Sequence, residues 1–214
     1  MANSDAISAG NSGDWEVFQF MNADLVAERT YDLSHLLRGQ VGTDGVMPES
    51  WPQDSLVVLL NGAVEQVELA QSARGLARHY RVGPAQRGMD DPSYTHLVEA
   101  FDGVGLRPYA PVHLRALRDG LANETNISWI RRTRIDGDSW QSVEVPLGED
   151  SERYTVRVLQ TGAVMREETV NSPTFTYSDA AKTADGVTGI YDIAVAQVSD
   201  RFGPGPFRRI TINE

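Results

Sequence analysis

The sequence predicts a mainly β protein, with a small N-terminal β domain followed by an immunoglobulin-like β-sandwich. Three observations carry that reading. Short apolar alternations bounded by turn residues recur along the chain, as half-buried strands require. Trp129 lies within Asn126-Ile-Ser-Trp-Ile130, and Tyr191 opens Tyr191-Asp-Ile-Ala-Val-Ala-Gln-Val-Ser199. In a sandwich, a Trp on an early strand fills the space between sheets, and a Tyr starting a late strand anchors its hydroxyl at a corner. Arg107-Pro-Tyr-Ala-Pro111 divides the two parts, because its prolines impose an extended path and remove two backbone donors.

Residues 1–13 are small and polar and are expected to form a flexible N-terminal segment. Residues 14–107 form the first β domain. Trp15-Glu-Val-Phe-Gln-Phe-Met21 reads as a strand, and Asp32 reads as the N-cap of a short helical turn through His35-Leu-Leu37. Glycines force a loop over residues 38–45. Ser55-Leu-Val-Val-Leu-Leu60 predicts a strand buried on both faces, and Asn61-Gly62 predicts a hairpin returning through Val64-Glu-Gln-Val-Glu-Leu69. Ala77-Arg-His-Tyr-Arg-Val82 is a further strand, and Tyr94-Thr-His-Leu-Val-Glu-Ala-Phe101 fits a strand or a single helical turn, with the strand favoured.

Residues 108–214 form the sandwich. Its strands start at Pro111-Val-His-Leu-Arg-Ala-Leu117, where proline needs no ladder donor, and continue through residues 126–130 and Tyr154-Thr-Val-Arg-Val-Leu159. Val164-Met-Arg-Glu-Glu-Thr-Val170 is charged as an edge strand is. Residues 174–177, 191–199 and 207–212 bring the total to about seven strands, the number expected of such a sandwich, with almost no room for helix. Trp129, Tyr154, Val156, Phe175, Tyr191, Ile193, Val195 and Ile210 are expected to point inward.

Composition narrows the function. The chain has 41% hydrophobic and 23% charged residues, and no apolar run long enough to span a bilayer, so membrane insertion is not expected. Met1-Ala-Asn-Ser-Asp5 lacks the basic and apolar regions of a signal peptide. Cysteine is absent, which removes disulfides, thiol nucleophiles and thiolate metal sites. The net charge of −11 repels phosphate backbones and argues against nucleic-acid binding. Residues 1–107 hold 15 acids against 7 basic residues, and residues 108–214 hold 15 against 12.

The Trp129 strand, the Tyr-x-Ile-x-Val pattern from Tyr191 and the turn Ser199-Asp-Arg-Phe-Gly-Pro-Gly205 resemble a fibronectin type III domain. A more specific set is Leu36-Leu-Arg-Gly-Gln-Val-Gly-Thr43, Leu106-Arg-Pro-Tyr-Ala-Pro-Val-His-Leu114, Ser128-Trp-Ile-Arg-Arg-Thr-Arg134, Gly137-Asp-Ser-Trp140 and Val145-Pro-Leu-Gly-Glu149. Together these resemble the C-terminal region of the large tail-tip, or baseplate hub, protein of gene transfer agents and related siphophages. The resemblance runs from about Trp15 to the C-terminus. It implies a virion structural role as an excised module of a longer hub protein, which carries upstream hub domains and a glycoside-hydrolase-like barrel. It further implies a homotrimer at the end of a non-contractile phage tail, other tail-tip and baseplate proteins as partners, and a role in host recognition. The protein would be made in the bacterial cytoplasm and located in the particle tail.

Catalytic and cofactor motifs are missing from the sequence. His35, His79, His96 and His113 show no metal-ligand spacing, and there is no nucleophile elbow, phosphate loop or dinucleotide fingerprint. The chain is therefore expected to be no enzyme and to need no cofactor or metal. Asp136-Gly-Asp138 with Glu149-Asp150 offers oxygen ligands of the kind calcium takes, but reads better as an Asx turn joining strands. Arg131, Arg132 and Arg134 precede that acidic turn and Trp140 follows it. Either this excursion is a partner or ligand surface built on Arg and Trp, or the arginines pair with Asp136 and Asp138 while Trp140 shields a sheet end. Trp15 and Trp51 also suit a carbohydrate surface but read better as core or interface. Asn123-Glu-Thr125 and Asn126-Ile-Ser128 match glycosylation acceptors without any sign of secretion. The expected function is a non-catalytic structural and interaction module of a phage-like tail tip. The alternative is a glycan-binding accessory module recognising a host-surface glycan or receptor.

Overall fold

The computed structural model describes residues 6–11, 14–137 and 144–213. Its first half is built on an antiparallel sheet of four strands, β1 (Ala6–Asn11), β2 (Asp14–Gln19), β5 (Leu37–Gln40) and β6 (Leu56–Leu60), ordered β5-β2-β1-β6. Two separate hairpins accompany it, β3 (Asn22–Ala27) with β4 (Thr30–Ser34), and β7 (Arg78–Val82) with β8 (Thr95–Glu99). Phe18 is buried, with Phe20, Leu33 and Trp51 packed against it.

Four expectations for this half are corrected. Residues 6–11, expected within the flexible segment, form β1, which lies between β2 and β6 and pairs with both. Asp32 caps no helix, since it sits in β4 opposite Asp24, and the period-2 alternation of Tyr31 and Leu33 continues against β3. The strand at residues 56–60 is not buried on both faces, because all five of its side chains are exposed. Asn61-Gly62 makes no hairpin. The Asn61 side chain accepts from the Ala63 amide at 2.9 Å and its carbonyl accepts from the Val64 amide at 3.1 Å, a local turn that does not return residues 64–69 as a strand.

The second half is the expected sandwich. One sheet orders β13 (Thr174–Tyr177), β10 (Glu124–Ile130) and β9 (Val112–Asp119). The other orders β12 (Ala163–Val170), β11 (Tyr154–Gln160), β14 (Tyr191–Ser199) and β16 (Arg208–Ile212), with the short β15 (Gly203–Pro204) on the end of β14. Three strands against four, joined in this sequence, is the fibronectin type III-like arrangement.

Alternation dictates the core. Val156 opposes Val195 and Val158 opposes Ile193 across β11 and β14, while Ile127 opposes Phe175 across β10 and β13. These residues join Trp129, Tyr154, Tyr177 and Tyr191 in one buried cluster, and Ile210 is only partly buried at its margin. The Trp129 ring meets the Tyr154 ring edge-on, with centroids 5.1 Å apart at 74°, a favoured aromatic geometry. The Tyr191 hydroxyl lies 3.0 Å from Thr125 Oγ1, so the corner anchor bridges to β10.

A helix occupies space where almost none was expected. α1 (Asp179–Asp185) links β13 to β14. Ser178 caps it by accepting from the Ala181 amide, and Gly186, at φ 67°, closes it in the left-handed conformation. Its Lys182, the chain's single lysine, is buried and donates to Thr125 Oγ1 at 3.2 Å. Asp185 holds the helix to the sheet, accepting from Arg166 Nε at 2.7 Å, Arg166 Nη2 at 2.9 Å and the Tyr177 hydroxyl at 2.8 Å. The Arg166 hydrogen bonds hold the Asp185 carboxyl below its ordinary pKa, and burial with the Asp185 contact raises that of the Tyr177 hydroxyl.

Candidate functional site

The predicted partner segment begins where β10 ends, at the seam between the two halves. Arg131, Arg132 and Arg134 follow the end of β10, outside any strand, and each guanidinium is engaged within the chain. Arg131 donates to Glu144 at 2.9 Å and to the Val145 and Pro146 carbonyls at 2.7 and 3.0 Å. Arg132 reaches into the first half, donating to Asp44 Oδ2 at 2.7 Å while its Cζ lies 4.7 Å from the centre of the Tyr109 ring. Arg134 donates to Glu149 at 3.0 Å, and that carboxylate is almost fully buried.

Of the alternative in which these arginines pair with Asp136 and Asp138, the Asp136 part is not seen among the ion pairs of the described residues, and the Asp138 part lies outside those residues. Among the described residues the arginines' acidic partners are Glu144, Asp44 and Glu149. Asp136 itself is exposed at φ 47°, and Asp138 and Trp140 lie outside the described residues. Glu149, one of the oxygens considered for calcium, is committed to Arg134, and Asp150 faces Arg201 at 3.5 Å. Among the described residues no cluster of three or more His, Asp or Glu side chains is suited to a metal ion.

Phe202, on the turn after β14, is held by cations from both halves. Arg134 Cζ lies 5.3 Å from its ring centre and Arg74 Cζ 5.1 Å, and Arg74 also donates to the Arg201 carbonyl at 2.7 Å. Backbone packing tightens the same seam. A Cβ on Gly45 would lie 2.5 Å from Pro206 Cβ, and one on Gly205 would run into the Pro108 carbonyl oxygen. Both glycines are needed for close approach rather than for flexibility. Beside this contact, a cleft of about 790 Å³ opens between the halves, lined among others by Arg38, Asp44, Met47, His113, Arg132 and Arg208.

Under the cleft lies a polar hub that the sequence did not disclose. Glu16 is fully buried and accepts from Arg38 Nε at 2.9 Å, Arg38 Nη2 at 2.6 Å, the Gly39 amide at 3.0 Å and Trp51 Nε1 at 2.6 Å. Burial by itself would raise the Glu16 pKa, but the Arg38, Trp51 and Gly39 hydrogen bonds outweigh it and leave the carboxyl below its ordinary value. Arg38 in turn donates to the Pro48 and Glu49 carbonyls. Trp51, weighed for sugar stacking, is thereby committed to the hub.

Two histidines far apart in sequence meet on the β7–β8 hairpin. His79 Nδ1 lies 2.9 Å from His96 Nε2, and the ring planes are 8° apart with centroids at 5.1 Å. That separation equals the nitrogen contact plus the two ring radii, so the rings meet edge to edge.

A family model described as Rcc01698-like, C-terminal, matches residues 1–58, which cover β1 to the middle of β6. No curated protein matches the chain. Among solved structures, the chain is similar to domains d3-d4 of the rat CD45 extracellular region at 11% identity and a TM-score of 0.38, over 90% of this chain and 94% of that one.

Proposed function

We propose that this chain is a non-catalytic structural and interaction module of a phage-like tail tip or baseplate hub, of the gene transfer agent type. The match of residues 1–58 to the Rcc01698-like C-terminal model, a name of that type, carries the reading. Polar contacts that join the two β units support it: Arg132 pairs with Asp44, and Arg74 donates to the Arg201 carbonyl. Arg131, Arg132, Arg134, Arg74 and Asp44 all serve contacts within the chain. In the particle the module sits in a trimeric hub beside other tail-tip proteins, after synthesis in the bacterial cytoplasm, and contributes to assembly and host recognition.

Electron microscopy of whole particles tests this. Density at the distal tail end fitting the seven-stranded sandwich with its attached four-stranded sheet is the expected result. Particles in which the tail end has no such density overturn the reading.

A further inference from the structure

Strand β6 reads Leu56-Val-Val-Leu-Leu60 and is the outermost strand of its sheet. One edge pairs with β1, from Leu60 opposite Ala6 to Leu56 opposite Gly10, and no strand among the described residues pairs with the other edge. All five side chains are exposed, from 37% at Leu60 to 63% at Leu56, and Val64, Val67 and Leu69 extend the apolar surface beyond the strand. Proteins guard free edges with charge, proline or a bulge. β6 carries no charge and no proline, and its register with β1 is unbroken.

The flanks supply charge of one sign. Residues 46–70 contain Glu49, Asp54, Glu65 and Glu68, all exposed, and no Lys or Arg. We propose that β6 is a docking edge for an extended segment of a neighbouring protein, which adds as a further strand with apolar residues along the paired stretch and basic residues at both ends. This rests on the interaction-module reading above and states how the partner is held. Main-chain hydrogen bonds along the edge supply affinity, apolar side chains of the partner pack beside those of β6 on each face, and the acidic flanks select a basic partner. A second copy of the chain fits less well, since it would bring the same acidic flanks to one edge.

The test uses the intact protein and two fluorescent synthetic peptides, each with an alternating Thr-Val core, one ending in two arginines on each side and one in two glutamates. Fluorescence anisotropy is expected to show at least tenfold tighter binding of the arginine-ended peptide, a preference that shrinks as salt rises. Val57→Lys, at an exposed position, is expected to weaken that binding at least tenfold while leaving the circular dichroism spectrum unchanged. Equal binding of the two peptides, no binding of either, or binding that survives Val57→Lys overturns the proposal. So does a sedimentation shift to dimer that Val57→Lys abolishes, which would assign the edge to a second copy. Particle microscopy is independent of these peptides, so failure here with density at the tail end rejects the β6 edge and leaves the module reading standing.

Discussion

Twelve buried residues form one continuous cluster between the sheets of the second half, whereas the corresponding cluster of the first half has Phe18 at its centre and three partly buried neighbours. The first half compensates with polarity. Its fully buried Glu16 ties β2 to Arg38 and Gly39 of β5 and to Trp51 in the following loop through four hydrogen bonds. It also leaves Met21, Leu25, Tyr31, Leu37, Val41 and the whole of β6 exposed. A sandwich whose strands alternate in register encloses its own core. A four-stranded sheet with one thin apolar patch depends on directional bonds and on whatever covers its apolar surface.

The largest effect that can break this contrast is in the sandwich core. Trp129→Ala should cost about 3–5 kcal/mol, a large share of the roughly 5–15 kcal/mol typical of a domain. Urea titration followed by circular dichroism reads this directly, and a cost below about 1 kcal/mol would place the core elsewhere.

Next is the polar hub. Glu16→Gln leaves Arg38 facing a neutral partner and should cost about 3 kcal/mol, confined to the first half. Two-probe denaturation, with one fluorophore in each half, separates the transitions. Acid sharpens the same point. The Glu16 carboxyl titrates below its ordinary value of 4.5 when folded, so the stability it contributes is complete above that pH and is lost as pH falls through the folded value. Asp185 has the same sign in the second half, but there the apolar cluster does not titrate. The first half should therefore open first on acidification, and simultaneous loss of both halves would contradict the contrast.

Smaller effects follow. Tyr191→Phe removes the hydroxyl facing Thr125 Oγ1 and should cost about 1 kcal/mol. Asp44→Asn weakens a partly exposed ion pair across the seam and should cost less than about 1 kcal/mol, with the effect fading in high salt. A larger loss would mean that the seam, rather than each half, holds the molecule together.

Sandwich strands were legible because local alternation and tertiary burial coincide there, as the buried positions of β10 and β11 show. α1 was missed although Ser178 and Gly186 mark its ends, because only seven residues lie between those caps. β6 was misread for a physical reason: an apolar run predicts a strand, but whether its faces are covered depends on neighbours. The candidate site was legible in position only. The segment from Arg131 to Arg134 was singled out, yet Arg132 finds Asp44 from 88 residues away, and no local pattern announces such a pairing. Likewise, Glu16 with Arg38 and Trp51, and His79 with His96, are brought together only by hairpins and sheet register.

Amide hydrogen exchange of the intact protein tests the central contrast most directly. Slow exchange concentrated in β10, β11 and β14, with β2 intermediate and β6 fast, is the predicted result. Protection of β6 equal to that of β14 would contradict it.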